Sequence, residues 1–335
     1  MKKILILIFA LCTFSLSAQY RPDILGEGFE QITIEQDDSY DGEVVATLVR
    51  HTPLENVTRA VLYVHGYNDY FFQREMAKQF IEQEWQFYAV DLRRYGRSTS
   101  EWQTPFEVRK ISEYFADIDA AIDIMVSEGV DEIILMGHST GGLTTSLYCH
   151  ENRENLRVNA LILNSPFFDM NLGGGWLESI GVPCVSFLGA LFRNFEVMGG
   201  SDNISGYAKS ISDKYDGEWS MDSSLKRDVS LPITAGWIRA IHTAQKKLQS
   251  GLDIPCPVLV LYSDKSVQGE YSAQEYMSGD SVLDVDDIAA YAPMMGFNVT
   301  QKEIQGGMHD LVLSRSEVRY PLYKTIFNWI GVALP

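Results

Sequence analysis

Ser139 lies at the centre of a Gly-x-Ser-x-Gly pattern, Gly137-His138-Ser139-Thr140-Gly141. The apolar run DEIILMG ends in this pattern, and GGLTTSLYCHE continues from it with the composition of a helix. A serine in a tight turn between a strand and a helix projects its hydroxyl as a nucleophile, and the flanking glycines let both elements approach closely. Serine is also favoured as a helix N-cap, which is the alternative role for Ser139. The strand before it and the helix after it favour the nucleophile.

A serine hydroxyl is a poor nucleophile near neutral pH, so a nucleophilic Ser139 requires a base. The chain contains six histidines, and five of them occupy unsuitable places. These are His51 before the buried strands, His65 at the end of the first of them, His138 inside the serine turn, His150 further along the following helix, and His242 in a long insertion. His309 remains, in the loop sequence GGMHD after the strand-like run VTQKEI. We therefore expect His309 to be the base, and a loop histidine with only local partners is the alternative.

Two aspartates are the main candidates for the acid that orients the base. Asp264 directly follows the apolar run VLVLYS, but its separation from His309 is long for one helix and one strand. Asp280 is closer in the chain and leaves room for one helix, one strand and a short loop. We expect Asp280 to be the acid, with residues 265–279 as a loop that lengthens the strand exit, and Asp264 is the alternative. The lesser candidates are Asp284 and, as a local hydrogen-bond partner beside the base, Asp310.

The tetrahedral intermediate of acyl transfer needs hydrogen-bond donors for its oxyanion. The run RAVLYVHGYNDYFF places His65-Gly66 at the end of the first buried strand, where Gly66 allows the backbone to turn. We expect the backbone N–H groups of Tyr67 and Thr140 to be the donor pair. An ordinary strand-ending turn is the alternative, and the position of His65-Gly66 upstream of the serine turn argues against it.

The elements that must hold these residues change in type along the chain. Polar and apolar residues alternate over 29–50 around an Asp-Gly pair, which predicts an antiparallel hairpin. Unalternated apolar runs follow, separated by stretches with helical periodicity such as 72–84 and 105–128. Strands of that type are buried on both faces, so the pattern predicts an α/β fold with a mainly parallel sheet. Residues 168–252 contain no strand-like run, and we expect them to form a helical insertion over the sheet.

The order of the motifs HGYNDY, DLRRYGRS, GHSTGG and GGMHD resembles the α/β-hydrolase superfamily, especially its monoacylglycerol-lipase-like and serine-aminopeptidase-like branch. The resemblance covers roughly residues 30–333, and the insertion takes the place of the family's helical cap. We refer to residues 168–252 as the cap segment. The expected division of the chain is then a signal peptide at 1–18, a hydrolase core at 19–167 and 253–335, and the cap segment.

The resemblance also implies roles for individual residues. It implies that Ser139 is the nucleophile and His309 the base, and that the oxyanion donors are Tyr67 and Thr140. The sequence DSVLD matches the family's Asp-x-apolar-apolar motif and supports Asp280 as the acid. This chain departs from the family in the long segment between VLVLYSD and that motif, which keeps the alternative acid, Asp264, open.

The N-terminal sequence MKKILILIFALCTFSLSAQYRP has two lysines, an apolar run and small residues, which is typical of a secretory signal peptide. We expect cleavage near Ala18 and a secreted or periplasmic protein. An uncleaved anchor is the alternative, although the run is short for a transmembrane span. The mature form is expected to contain no stable membrane span.

Composition limits the other partners. A formal net charge of −18 argues against nucleic acid and anionic membranes as partners. No Gly-x-Gly-x-x-Gly follows a strand and no zinc-ligand spacing occurs, so we expect neither a metal nor an organic cofactor. Cys149, Cys184 and Cys256 are expected to be buried thiols, and a bridge between Cys184 and Cys256 in an oxidising compartment is the alternative.

Together these residues predict hydrolysis of a carboxylic ester through an acyl-enzyme on Ser139. An apolar acyl pocket would favour a medium-chain ester or a monoacylglycerol, and its expected lining is the cap sequence WLESIGVPCVSFLGALF with Tyr67, Tyr70, Phe71 and Phe72. Simple packing of these residues between cap segment and sheet is the alternative. A second hypothesis is an aminopeptidase, which would need cap carboxylates to hold the substrate ammonium; the available ones are Glu178, Glu196, Asp213 and Asp216. A third is a noncatalytic binding protein with the same fold.

Overall fold

The computed structural model describes residues 19–171 and 177–335, with only the backbone of Leu177. The expected signal peptide, residues 1–18, lies outside this part of the chain. The strands are β1 (Arg21–Pro22), β2 (Phe29–Ser39), β3 (Gly42–His51), β4 (Arg59–Val64), β5 (Gln86–Asp91), β6 (Glu132–His138), β7 (Ala160–Asn164), β8 (Glu196–Met198), β9 (Ile233–Thr234), β10 (Val258–Ser263) and β11 (Val299–Ile304). The α-helices are α1 (Arg74–Glu82), α2 (Phe115–Ser127), α3 (Thr140–Glu151), α4 (Val182–Leu191), α5 (Gly206–Ile211), α6 (Ala235–Gln249), α7 (Ala273–Tyr276), α8 (Val285–Tyr291) and α9 (Ser316–Ala333).

Nine of these strands form one sheet in the order β1-β2-β3-β5-β4-β6-β7-β10-β11. β2 and β3 pair antiparallel as a hairpin whose turn includes Gly42 at φ +97°, a conformation that glycine adopts without strain. From β5 through β4, β6, β7 and β10 to β11 all pairings are parallel. The structure confirms the predicted α/β fold with a mainly parallel sheet and an N-terminal hairpin.

The inner parallel strands are largely apolar because both of their faces are covered, whereas the edge strand β11 contains polar residues and is only partly buried. Successive side chains of a strand point to opposite faces. In β4, Leu62 and Val64 belong to one hydrophobic cluster, whereas Val61 and Tyr63 belong to another on the opposite face. The carboxyl ends of these strands meet at one edge of the sheet, and the candidate site residues follow those ends.

The helix predicted from residue 105 begins later than its periodicity indicates. Residues Ile111–Tyr114 form a single 3₁₀ turn, and α2 starts at Phe115. Phe106, directly after a proline, has φ +64°, which is incompatible with a right-handed helix. The apolar residues before Ile111 therefore belong to a loop that packs on the core.

The cap segment follows β7 and ends before β10. It contains α4, α5 and α6 together with β8 and β9, which pair as a separate two-stranded sheet. The sequence pattern does not predict these strands, because each has only two or three residues. α6 packs on α4 and on α3, which joins the cap segment to the core. Among the helices of the described residues, none has the length and hydropathy needed to cross a bilayer.

Candidate active site

Ser139 occupies the sharp turn between β6 and α3. Its backbone has φ +52° and ψ −119°, a strained conformation for a residue with a side chain. A Cβ atom at Gly137 would overlap Thr145 Oγ1 and the carbonyl oxygen of Gly141. Gly137 is therefore required by the close approach of α3 to β6, and the turn projects the Ser139 side chain beyond the sheet edge.

Three side chains from three loops form one hydrogen-bonded chain. Ser139 Oγ is 3.1 Å from His309 Nε2, and His309 Nδ1 is 2.9 Å from Asp280 Oδ2. All three residues are buried, and Asp280 has no exposed surface. Because an ionised carboxylate only accepts hydrogen bonds, Nδ1 carries the imidazole proton and Nε2 presents its lone pair to the serine hydroxyl. This is the arrangement in which a serine can lose its proton to histidine.

Asp280 reaches this position although 16 residues separate it from the end of β10. The Asp280 N–H donates to the carbonyl oxygen of Lys265 at 2.9 Å, and its own carbonyl oxygen accepts from Val267 N at 2.6 Å. Residues 265–279 thus leave the strand end and return to it. Asp280 Oδ1 accepts from the N–H groups of Val282 and Leu283, both at 2.8 Å, which fixes the carboxylate.

The other candidate acids have different contacts. Half-buried Asp264 accepts from the N–H of Gly306 at 2.7 Å and so braces the turn after β11. Asp284 caps α8 by accepting from Asp286 N at 3.0 Å. Asp310 accepts from the side-chain amides of Asn164 and Gln73, at 2.6 and 3.1 Å. The structure therefore brings Asp280, and none of these three, to the imidazole of His309.

The loop that is predicted to supply an oxyanion donor, residues 65–72 after β4, lies directly against the serine turn. We refer to it as the oxyanion loop. A Cβ atom added to Gly66 would be 3.0 Å from Ser139 Cβ, so the backbone of the loop packs directly against Ser139. His65 accepts from Leu92 N through Nε2 at 3.1 Å and donates through Nδ1 to the Gly66 carbonyl at 2.8 Å. Within the described part of the chain the N–H groups of Tyr67 and Thr140 have no backbone or side-chain acceptor. Both are available to an oxyanion formed at Ser139.

Gly141→Ala is expected to lower kcat by about 10²- to 10³-fold, the cost of losing one oxyanion donor. A Cβ at this position would overlap the carbonyl oxygens of Val64 and His65, so the oxyanion loop must move away from the serine turn. Steady-state kinetics with an activated ester would measure the effect.

Gly331→Ala is the matched control. Gly331 is exposed on α9, and a Cβ added there would point into open space, with no neighbouring side chain within 4 Å. This variant should keep full activity and gain up to about 1 kcal/mol of stability from helix propensity. Equal activity of Gly141→Ala and Gly331→Ala would contradict the assignment of the oxyanion loop.

Asn164, at the end of β7, connects the serine turn to the loop after β11 that contains His309, which we call the histidine loop. Its carbonyl oxygen accepts from Ser139 N and from His138 Nδ1, both at 3.1 Å. Its side chain accepts from Leu311 N at 3.1 Å and donates to Asp310. Reasoning from the sequence missed this residue, and the available signal was a polar side chain at the carboxyl end of a buried strand beside β6.

A cavity of roughly 610 Å³ opens over Ser139 and His309. Its apolar lining comes from the oxyanion loop, from the middle of the cap segment and from the chain on both sides of Asp280: Tyr67, Met198, Tyr207, Ala208, Ile211, Met221, Val229, Leu231, Ile233, Tyr276 and Val282. The Tyr207 ring lies edge-on to the His309 imidazole, with ring centres 5.6 Å apart. The size of the cavity is within the range of small-molecule sites.

This lining differs from the sequence prediction. Of the aromatic residues predicted from the oxyanion loop only Tyr67 lines the cavity, because Tyr70, Phe71 and Phe72 are buried in the core beneath it. No described residue of the predicted cap sequence at 177–192 lines it either. Four large apolar side chains of that sequence are instead more than half exposed on or beside α4, namely Ile180 at 59%, Phe187 at 66%, Leu191 at 68% and Phe192 at 61%. That part of the prediction was wrong because helical periodicity does not reveal which face of α4 meets the core.

Polar contacts tie the cap segment to the oxyanion loop. Asn68 donates to the carbonyl of Arg227 at 2.8 Å and accepts from its N–H at 3.0 Å. Beside this pair, Lys226 Nζ is 2.8 Å from Asp69 Oδ1, with both side chains buried. A third contact joins Asp222 N to the Tyr70 hydroxyl at 2.8 Å. The oxyanion loop is therefore held from above by residues 222–227.

Asp69, His138 and Asp310 lie close enough to be considered as metal ligands. Lys226 already neutralises Asp69, and the Asp310 carboxylate is engaged by two amide groups. Burial lowers the pKa of His138, so this imidazole is neutral. These contacts favour a structural role for the cluster, as support for the oxyanion loop and the histidine loop.

Lys226→Met is expected to destabilise the protein by about 3–5 kcal/mol, because it leaves the Asp69 carboxylate buried without a counter-charge. The methionine keeps the apolar length of the side chain. Urea unfolding would give the change in the free energy of unfolding. As a control, Asp123→Ala removes an ion pair with Arg157 in which Asp123 is 67% exposed, and it should cost at most about 1 kcal/mol. Equal losses in the two variants would contradict a structural role for the buried pair.

A family model described as Hydrolase_4, serine aminopeptidase S33, matches residues 55–315. The chain belongs to this family. No curated protein sequence matches this S33 family hydrolase significantly.

Solved structures match its fold over most of its length. A soluble variant of the monoglyceride lipase of Saccharomyces cerevisiae, in complex with a substrate analogue, gives a TM-score of 0.62 with 15% identity and covers 93% of this chain and 94% of that chain. The monoacylglycerol lipase of Paleococcus ferrophilus gives 0.57 with 17% identity, covering 81% and 93%. Est1E of Butyrivibrio proteoclasticus, with ferulic acid bound, gives 0.53 with 16% identity, covering 87% and 96%. These similarities show that this member of the S33 family has the α/β-hydrolase fold.

Proposed function

We propose that the protein is a serine hydrolase that cleaves carboxylic esters through an acyl-enzyme on Ser139. The observation that carries this proposal is the hydrogen-bonded chain from Ser139 Oγ through His309 to the buried Asp280. This chain lies beneath a cavity and beside the N–H groups of Tyr67 and Thr140. A substrate can therefore place its carbonyl carbon at Ser139 Oγ and its carbonyl oxygen at these two N–H groups at the same time.

The first half of the reaction forms the acyl-enzyme. Ser139 Oγ attacks the ester carbonyl carbon while its proton passes to His309 Nε2. The carbonyl oxygen becomes an oxyanion and accepts hydrogen bonds from Tyr67 N and Thr140 N. Asp280 stabilises the imidazolium that forms, and His309 then donates its proton to the leaving alkoxide, so that an alcohol departs.

The second half hydrolyses the acyl-enzyme. Water attacks the acyl carbon and gives a proton to His309 Nε2, and the same two N–H groups hold the second oxyanion. When the intermediate collapses, the bond to Ser139 Oγ breaks and His309 returns the proton to it. The carboxylic acid leaves and the site is restored.

The cavity supports an ester with an apolar acyl chain. The cap segment contributes Ile211, Met221, Leu231 and Ile233 to an apolar part of the wall, beside the charged residues Lys226, Arg227 and Asp228. We therefore propose a medium-chain acyl ester or a monoacylglycerol as the substrate class. Two of the structurally similar proteins are named as lipases of monoglycerides, which agrees with this proposal.

An aminopeptidase is the competing assignment, and the family's description names that activity. The cap carboxylates considered for binding a substrate ammonium, Glu178, Glu196, Asp213 and Asp216, do not belong to the described cavity wall. Asp69 and Asp228 do line it. The Lys226 ammonium lies 2.8 Å from the Asp69 carboxylate and would repel a second cation there, so Asp228 is the carboxylate that an aminopeptidase would use. The apolar part of the wall favours the ester.

The deciding experiment compares p-nitrophenyl esters of increasing acyl length with aminoacyl p-nitroanilides on the wild-type chain. We expect kcat/KM to rise from the acetate to a medium-chain ester, with anilide turnover far lower. Rapid anilide turnover with negligible ester turnover would replace the esterase assignment by the aminopeptidase. A noncatalytic binding protein would hydrolyse neither substrate and would leave Ser139 unlabelled by a fluorophosphonate probe.

We further propose that the protein is exported and cleaved near Ala18. The basic start and apolar run of the N-terminal sequence support this proposal. N-terminal sequencing of the exported protein should begin at or near Gln19, whereas a retained Met1 would argue for an anchor.

A further inference from the structure

Cys149 and Cys256 are neighbours in the core although the whole cap segment separates them in sequence. Cys149 lies on α3 and is fully buried, and Cys256 precedes β10 and is 7% exposed. Both side chains belong to the same buried hydrophobic cluster. Each thiol also perturbs the pKa of the other, so the two are close neighbours in that cluster.

The chain around Cys256 is fixed to α3 by further contacts. Asp253 N donates to His150 Nδ1 at 2.9 Å, and Arg153 Nε is 4.0 Å from Asp253 Oδ2. Lys247, at the end of α6, forms an ion pair with Glu151. Three consecutive contacts along the end of α3 thus hold the exit of the cap segment in place, and the cysteines lie on the same docked surface.

Cys184 is separate from this pair. It lies on α4 in the cap segment and is exposed. The pairing of Cys184 with Cys256 considered from the sequence is not the arrangement in the structure, because the neighbour of Cys256 is Cys149. Cys184 is consequently an internal control for any thiol measurement.

We propose that Cys149 and Cys256 are a thiol-oxidation site and form a disulfide when the chain folds in the presence of a disulfide oxidant. The thiolate of Cys256 attacks one sulfur of the oxidant's disulfide, forming a mixed disulfide and releasing the first thiol. The Cys149 sulfur then attacks the Cys256 sulfur and releases the second thiol. Two protein thiols are oxidised to one disulfide, and one external disulfide is reduced to two thiols, so electrons and protons balance.

The order of attack follows from the environment of each sulfur. The neighbouring Cys149 thiol lowers the pKa of Cys256, whereas burial raises the pKa of Cys149. Cys256 is therefore the thiol that ionises first and attacks. Because Cys149 is fully buried and Cys256 is only 7% exposed in the folded state, oxidation takes place late in folding, after the two thiols have met and before the core closes over them.

The bond would close a loop that contains the entire cap segment. Closing a loop of this length restricts the unfolded chain strongly and stabilises the folded state. It would join the exit of the cap segment to α3, the helix whose first residue, Thr140, supplies an oxyanion donor. An exported protein meets the oxidising conditions that such a bond requires.

The test is peptide mass mapping of the full chain refolded with oxidised glutathione and alkylated after denaturation. We expect the Cys149 and Cys256 peptides as one cross-linked species that separates on reduction, while Cys184 is alkylated in both samples. Alkylation of both Cys149 and Cys256 in the oxidised sample, or a bridge that includes Cys184, would overturn the proposal.

Thermal unfolding supplies a second measurement. Dithiothreitol should lower the Tm of the oxidised wild type and of Cys184→Ser, and it should not affect a Cys149→Ala/Cys256→Ala variant. An unchanged Tm of oxidised wild type on reduction would count against the bond. Ester hydrolysis by the same samples is measured separately. A negative result for the disulfide therefore does not affect the proposed Ser139 mechanism, and absence of ester hydrolysis does not affect the disulfide proposal.

Discussion

Ser139→Ala is expected to lower kcat for ester hydrolysis by about a million-fold, which is the loss seen when a serine hydrolase loses its nucleophile. The residual rate would come from the oxyanion donors and from substrate binding, which the substitution leaves in place. The Ser139 hydroxyl bonds to His309 Nε2, so its removal disconnects the base from the substrate. Burst kinetics should disappear along with turnover, because no acyl-enzyme can form.

The control for this variant is Ser146→Ala, on α3, the helix that begins directly after Ser139. Ser146 is fully buried and donates to the Gly142 carbonyl at 2.7 Å, so this variant also loses a buried hydroxyl near the site. We expect its kcat within a few-fold of wild type. Both variants should unfold cooperatively with similar Tm. Ester turnover that persists in Ser139→Ala would contradict the acyl-enzyme mechanism.

Asp280→Asn should lower kcat by about 10⁴-fold, while Asp264→Asn should change it only slightly. Asparagine fits the space of Asp280, but its amide can donate to His309 Nδ1 and so favours the tautomer with the proton on Nε2. That tautomer cannot accept the Ser139 proton. The imidazolium of the transition state also loses its counter-charge.

Asp264→Asn is a strict control because it alters a carboxylate in the same region. Asp264 contacts Gly306 N and lies outside the His309 hydrogen bonds, so its loss should appear mainly as a small drop in stability. kcat and urea unfolding measured on both variants separate the two effects. A larger kcat loss in Asp264→Asn than in Asp280→Asn would reassign the acid.

The sequence specified the parts of the site that depend on short-range rules. The Gly-x-Ser-x-Gly pattern predicts a sharp turn from a strand into a helix. The sequence GGMHD follows another parallel strand, whose carboxyl end must lie at the same edge of the sheet as that turn. Elimination among six histidines then left His309, and the structure places it 3.1 Å from Ser139 Oγ. Asp280 was predicted from the length of chain that one helix, one strand and a loop require, and it too lies in contact with His309.

Short-range sequence rules do not predict contacts between residues that are far apart in the chain. The buried Asp69–Lys226 pair joins residues 157 positions apart, and nothing in their local sequence indicates that they meet. The prediction that the cap sequence at 177–192 lines the cavity was wrong for the same reason, since an apolar segment in an insertion can face either the core or solvent. The start of α2 was misplaced because periodicity does not register the positive φ at Phe106.

The return of residues 265–279 to the end of β10 separates two tasks within one loop. The hydrogen bonds that Asp280 makes with Lys265 and Val267 hold the acid in register, however long the excursion between them. The excursion itself carries Tyr276 into the cavity wall, and α7 packs on α5 of the cap segment. Under the proposed function, changes to residues 268–279 are therefore expected to alter which acyl groups the cavity accepts, while the contacts that hold Asp280 stay in place. The extra residues before Asp280 thus shape the cavity wall without setting the position of this carboxylate.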